Sequence, residues 1–287
     1  DIDAETLGMS PDSLESWLEE NVDMVDKGLE GLETLHSILS QPSQPFLSIH
    51  KATRRHISAC VPMHTFGHPF KIDRIVDICN RYHIPVVEDA AESIGSYFKG
   101  QHTGTFGKLG ILSFNGNKTI TTGGGGMILT DDDELGPLAK HITTTAKKPH
   151  PWKFEHDMIG YNYRLPNINA ALGCAQMEIL PDILKNKRQT AKRYQDFFNN
   201  LKDIEFISEP SDSISNYWLN AILLYDEKER DQFLDYAYSQ KVMCRPAWTL
   251  MNKLPMFKLC LNPRLTISEE ISSKIINIPS SYNNKRY

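Results

Sequence analysis

The sequence predicts an α/β protein built on a parallel sheet, with a smaller domain at its C-terminal end. Three observations carry this reading. An apolar run from Ile57 to Met63, a helical face at Ile72, Ile75, Val76 and Cys79, and a second apolar run from Ile84 to Val87 give the strand, helix, strand order of a parallel unit. A further pair of short strands, Leu109 to Phe114 and Met127 to Thr130, flanks a polar turn that holds four consecutive glycines, Gly123 to Gly126. After about residue 203 the pattern shifts to a strand between Tyr217 and Tyr225, a helix from Glu229 to Ser239 and a proline-interrupted tail, so a large domain over 1–202 precedes a small one over 203–287.

The remaining elements follow from local chemistry. Ser10 is placed to cap a helix whose first turn holds Pro11 and Asp12 and whose inner face carries Leu14, Leu18 and Val22. From Gly28 to His56 no period is sustained, which predicts a loop or insertion. Ile168, Ala171, Leu172, Ala175 and Ile179 form one helical face, broken at Pro181, and Leu184, Ala191, Tyr194, Phe198 and Leu201 continue as a second helix. Tyr194, Phe197 and Phe198 at this spacing predict core packing.

Composition excludes several function classes. The chain has 287 residues, with 31 Lys and Arg against 36 Asp and Glu, a net charge of −5. That leaves no basic excess for a nucleic-acid backbone or an anionic membrane. The apolar runs fall far short of a membrane-spanning helix. Five cysteines, an odd set without a C-x-x-C pair, point to a reducing compartment and a cytoplasmic location. The chain opens Asp-Ile-Asp with neither Met nor a basic, apolar leader, so no signal peptide is expected and the true start is expected upstream.

Asp89 closes the second strand of the parallel unit, the edge at which ligands of such sheets gather. Lys118 lies in the turn after the next strand, beside the glycines, and Ser113 stands five residues before it. A carboxylate facing a pyridine nitrogen keeps that ring protonated, and a lysine amine condenses with an aldehyde on the same ring. Pyridoxal phosphate (PLP) needs both groups, and a nearby hydroxyl is placed to reach a phosphate. Each signal alone is weak, because strand-end aspartates are often structural and most lysines are solvated charges. Lys147, Lys148, His150, Trp152, Lys153 and His156 mix basic and aromatic side chains, which suits either a nucleotide diphosphate or a plain solvated loop. His64 and His68 have a metal-like spacing, but no carboxylate or thiol completes a set, so no metal is expected and His64 reads as a loop residue or one behind the site.

Five segments together resemble the DegT/DnrJ/EryC1/StrS aminotransferases, PLP enzymes that aminate nucleotide-linked keto-sugars. They are Val87 to Gly95, Gly104 to Gly107, Ser113 to Lys118 with Gly123 to Gly126, Gly160 to Ala171, and Asn216 to Asn220, in the family's order and spanning Ile57 to the C-terminus. The resemblance implies the fold type I of PLP-dependent aminotransferases, a mixed, mostly parallel sheet flanked by helices. It also implies that a segment supplying the sheet's first strands and a phosphate loop precedes Asp1, making this chain N-terminally incomplete. Lys118 would be the Schiff-base lysine that moves the proton, and Asp89 the partner of the pyridinium nitrogen. Ala91 would pack on the ring, Glu92 would stand near its phenolic oxygen, where relatives often carry Gln or His, and Ser113 would hold the phosphate. Asn162 or Arg164 would reach the phosphate of a neighbouring subunit, implying a homodimer with shared active sites. Lys147, Trp152 and Arg245 would meet the nucleotide sugar. Relatives that dehydrate their sugar carry His at the position of Lys118, so the lysine favours amino transfer from glutamate to a 4-keto-6-deoxy sugar on UDP or GDP. Members serving legionaminic-acid-type or perosamine-like pathways are the most similar. The competing reading is a relative without turnover that binds a partner subunit or a nucleotide sugar.

Overall fold

The computed structural model describes residues 1–26, 46–261 and 263–282. Ser10 caps helix α1 (Pro11–Asn21), its hydroxyl accepting from the Ser13 N–H at 3.2 Å. Leu18 is buried on the inner face, but the helix stops before Val22, which begins strand β1 (Val22–Asp26). Its antiparallel partner is β2 (Phe46–His50). Residues 46–50 therefore correct the expected loop; residues 27–45 of that stretch lie outside the described residues. Ser48 and His50 hid this strand in the sequence because both are polar and yet buried. The Ser48 hydroxyl donates to the Tyr82 carbonyl, and His50 stacks on Trp17 at 5.7 Å while its Nδ1 meets the Thr53 hydroxyl at 3.0 Å.

Residues 57–63 run extended beside the next strand but are not buried on both faces. Cys60 and Pro62 turn inward, whereas Val61 and Met63 are exposed. Helix α2 (Ile72–Arg81) then buries Ile72, Ile75, Ile78 and Cys79 against Leu18, Val22, Phe70, Ile84, Val86 and Phe98, forming the first core. Strand β3 (Val87–Asp89) follows, linked in parallel to the extended segment through Cys60 with Val86 and Met63 with Asp89. After the short strands β4 (Tyr97–Phe98) and β5 (Gln101–His102), β6 (Leu109–Ser113) pairs with β3 in parallel, and β7 (Gly126–Leu129) returns antiparallel to β6. The carboxyl ends of β3 and β6 thus share one edge, and Asp89 and Ser113 sit on it.

Helices α3 (Leu135–Thr143) and α4 (Asn167–Glu178) come next. The period read in α4 is present, but its face is not a core face. Ile168, Leu172 and Met177, with Ile179 just beyond, are exposed, and among the described residues nothing covers them. Helix α5 (Leu180–Phe198) joins two cores. Its first turns pack Leu180 and Ile183 on Ala90, Ile94, Leu112 and Phe114; its last pack Ala191 and Phe198 on the C-terminal sheet. Phe197, expected inside, points to solvent.

The C-terminal sheet is antiparallel. Strand β8 (Glu205–Phe206) pairs with β10 (Asn220–Leu223), preceded in the chain by β9 (Ser213–Ile214), which joins β4 instead. Helix α6 (Glu227–Ser239), capped by Asp226, strand β11 (Arg245–Pro246), helix α7 (Thr266–Lys274) and strand β12 (Ile275–Ile278) complete it, in the order β11, β12, β10, β8. The strand expected from Tyr217 starts three residues later, because residues 215–218 form a turn with Tyr217 at φ +48°.

Ile75 has no exposed surface at the centre of the first core. Ile75→Ala is expected to lower unfolding stability by about 2–5 kcal/mol, read as a shift of the urea midpoint at unchanged slope.

Candidate active site

Two adjacent acids on β3 point to opposite faces, as strand geometry requires. Glu88 goes inward and is fully buried. Its carboxylate accepts from His64 Nε2 at 3.0 Å and from the backbone N–H groups of Gly104 and Gly107, both at 2.7 Å, and of Phe106. Burial pushes this carboxyl up, but the hydrogen bonds from His64, Gly107 and Gly104 outweigh it and hold Glu88 below the ordinary glutamate range. His64 therefore lies behind the site: its imidazole holds Glu88, while its backbone N–H donates to the Asp89 carbonyl at 3.1 Å. Asp89, so fixed, accepts from the Ala91 N–H at 3.1 Å through Oδ1.

In the turn after β6, Lys118 Nζ lies 3.1 Å from Glu92 Oε1 and 4.4 Å from the centre of the Trp218 ring. Both members of the ion pair are largely shielded, with 13% and 15% of their side chains exposed. Burial raises the Glu92 carboxyl, Lys118 draws it down, Asp89 raises it again, and the net shift is upward. The Phe66 N–H also faces this carboxylate, from a turn in which Phe66 holds φ +60° and Gly67 φ +90°. A Cβ on Gly67 would stand 2.0 Å from Asn216 Oδ1, so only glycine fits there.

Asn216 is the residue on which these segments converge. From a fully buried position its Nδ2 donates to the carbonyls of Glu92 at 2.8 Å and Ile94 at 2.9 Å and to the Thr119 hydroxyl at 3.3 Å, while its Oδ1 accepts from the Trp218 N–H at 2.8 Å. The Trp218 indole N–H donates to the Asn117 carbonyl at 2.7 Å, next to Lys118. Helix α5 holds the same turn from behind. Lys187 donates to the carbonyls of Trp218 at 3.2 Å and Ser280 at 2.7 Å, and Arg188 binds the Ser215 carbonyl at 2.8 Å and pairs with Glu209. Burial alone draws the Lys187 ammonium down to about 8. Neither Asn216 nor Trp218 had a role assigned from the sequence; their only signal was membership of the segment 216–220.

A profile of the DegT/DnrJ/EryC1/StrS aminotransferase family matches residues 46–285. The chain belongs to that family. Among curated relatives, it is 36% identical over 224 residues to a GDP-perosamine synthase of Escherichia coli O157:H7, covering 77% of this chain and 60% of the relative. It is 34% identical over 229 residues to the EpsN protein of Bacillus subtilis (strain 168), described as a putative pyridoxal phosphate-dependent aminotransferase, covering 78% of this chain and 59% of the relative. The chain thus spans about three fifths of the length of these relatives. A family aminotransferase from Brucella abortus superposes over 100% of this chain and 68% of its own length with a TM-score of 0.80 at 21% identity. TlmJ from Streptoalloteichus hindustanus does so over 98% and 66% with the same score at 22% identity, which shows a shared fold.

Of the residues that the family resemblance singles out, the structure brings Asp89, Ala91, Glu92 and Lys118 together, with Ser113 on the same edge, its hydroxyl accepting from the Asn115 N–H at 3.4 Å. The contacts of the others run elsewhere. Arg164 donates to Asn162 Oδ1 at 2.9 Å, both exposed; Lys147 lies over the Phe154 ring at 4.1 Å; Trp152 meets His150 edge-on. Arg245 is exposed in β11 opposite Asn277, and three residues on Trp248 stacks on Trp218 with ring centres 6.4 Å apart. The residue types at this edge fit PLP: Lys118 supplies an amine, Asp89 a carboxylate and Ser113 a hydroxyl, and the backbone beside them is open, since a Cβ on Gly116 or Gly124 would meet nothing within 4 Å.

Two tests follow. Asn216→Ala is expected to leave buried carbonyls at positions 92 and 94 unpaired, lowering stability by about 2–3 kcal/mol and releasing Trp218, read as a changed tryptophan emission. His68, whose ring meets Tyr217 edge-on with both nitrogens unpaired, is drawn by burial down to about 4, with Glu209 opposing. Because the unfolded chain then binds more protons, stability should fall as pH drops from about 6.5 to about 4. His68→Phe should flatten that limb in denaturation profiles, leaving a loss at lower pH as the depressed Glu88 carboxyl takes its proton.

Proposed function

We propose that this chain carries the working site of a PLP-dependent aminotransferase that moves an amino group from glutamate to a 4-keto-6-deoxy sugar on GDP or UDP. The single observation behind this is Lys118, an almost enclosed amine held by Glu92 and Trp218 at the edge where Asp89 ends its strand. The family supports amino transfer, and the GDP-perosamine synthase relative supports a nucleotide sugar as acceptor.

When bound, PLP supplies an aldehyde for the lysine and a ring that spreads the charge left on a deprotonated carbon. The chain's own residues then divide the work. Asp89 would face the ring nitrogen and keep it protonated, Ala91 would lie against the ring, Glu92 would stand at its oxygen side, and Ser113 would donate to the phosphate. Lys118 Nζ would take a proton from the substrate carbon and deliver it to the carbon on the other side of the C–N unit. The basic and aromatic loop with Lys147 and Trp152 binds the diphosphate and base, and Arg245, on the strand that leads to Trp248, meets the sugar. In this reading residues 1–202 form the cofactor-binding part and 203–287 the smaller one, joined at the site by Trp218.

The same reading includes a homodimer, with Asn162 or Arg164 serving the neighbouring site and the exposed apolar face of α4 beside them as part of the contact. The described residues contain no helix long and apolar enough to cross a membrane. All five thiols are free, which suits cytoplasmic work.

Purified protein mixed with PLP should turn yellow, and borohydride should fix the cofactor to Lys118. Lys118→Ala should lose amino transfer by at least about 10³-fold while keeping its far-UV circular dichroism spectrum. A wild-type protein that stays colourless would favour the non-catalytic relative.

A further inference from the structure

The ion pair between Lys118 and Glu92 has a consequence for where protons go. The charges that face Glu92 are Lys118, from the turn after β6, and Asp89, from the end of β3; the other donor is the Phe66 N–H. Trp218 closes the far side of the ammonium without adding charge, Asn216 fixes the Glu92 backbone through its carbonyl, and the carboxylate side chain is 15% exposed. Take away the ammonium and what remains is a shielded carboxylate beside a second carboxylate, with one backbone donor. Such a group takes a proton.

We propose that Glu92 is the proton acceptor of Lys118, holding a proton whenever the lysine amine is uncharged or covalently engaged and releasing it when the ammonium returns. The inference rests on the reading of Lys118 above and deepens it. The balance is simple. When an aldehyde reacts with the ammonium to give an uncharged imine, a C–N bond forms, the carbonyl oxygen leaves as water, and the one proton set free passes over 3.1 Å to Glu92 rather than to solvent. The reverse reaction takes that proton back. Burial and the charge of Asp89 already raise the Glu92 carboxyl against the pull of Lys118, so the site leans toward this exchange.

The first test needs no cofactor. The Glu92 carboxyl is followed by ¹³C NMR on protein labelled at glutamate, with Glu92→Gln identifying the resonance. In Lys118→Met its titration midpoint should rise by about one pH unit or more above wild type, and Lys118→Arg should restore the wild-type midpoint. An unchanged midpoint in Lys118→Met overturns the proposal, whether or not the protein binds PLP. The second test counts protons released on PLP addition in weakly buffered solution. Wild type and Glu92→Gln should differ by about one proton per site, so that PLP affinity in the variant gains about tenfold more per pH unit than in wild type. Equal proton counts with yellow protein in both overturn the proposal and leave the function intact; colourless protein overturns the function and leaves the NMR result to decide.

Discussion

A carboxylate with no access to water, Glu88, is the constraint from which the arrangement of the site follows. A charge removed from solvent is tolerable only when its lone pairs are met, and here an imidazole and three backbone N–H groups meet them. Those four donors come from two separate loops, so satisfying Glu88 pins the 104–107 turn and the start of the 64–67 turn to the end of β3. Asp89, one residue on and on the opposite face, inherits that rigidity. The backbone strain at Phe66 is carried on the same side of the site, and it delivers an N–H toward Glu92.

The second layer comes from far along the chain. Asn216 spends every polar atom of its side chain on segments that carry Glu92, Lys118 and Trp218, and α5 backs it with two consecutive cations. Among the described residues Lys187 lies buried among carbonyls with no carboxylate partner, an arrangement that is costly unless the protons of the ammonium are used. Two of its bonds end on the residues that close this layer, Trp218 and Ser280. The C-terminal sheet and the parallel β3–β6 pair are therefore tied through the site itself rather than merely packed beside it.

Much of this was legible in the residues. The strand, helix, strand order, the acid ending the second strand and the lysine in the glycine-flanked turn all follow from local pattern, because period and turn chemistry are properties of neighbouring residues. Asn216 and Trp218 were not, since their partners lie about a hundred residues upstream and nothing local marks a buried amide as a tie. Strand β2 was missed because Ser48 and His50 find their partners in other elements. The face of α4 is apolar as read, but a period tells which residues share a side and not what that side meets. Lys147 and Trp152 remain readings from residue type, as their contacts within the chain are local, and Arg245 remains a reading from the family resemblance.

The close fit of Gly67 against Asn216 makes these two positions partners in inheritance. A methyl at 67 and an amide at 216 claim the same volume, so a side chain at 67 is blocked while the amide stays. Lineages that abandon the amide would still meet a left-handed backbone and the Glu92 carbonyl at position 67, so the dependence runs one way, from 216 to 67, although the two residues are separated by more than half of the chain.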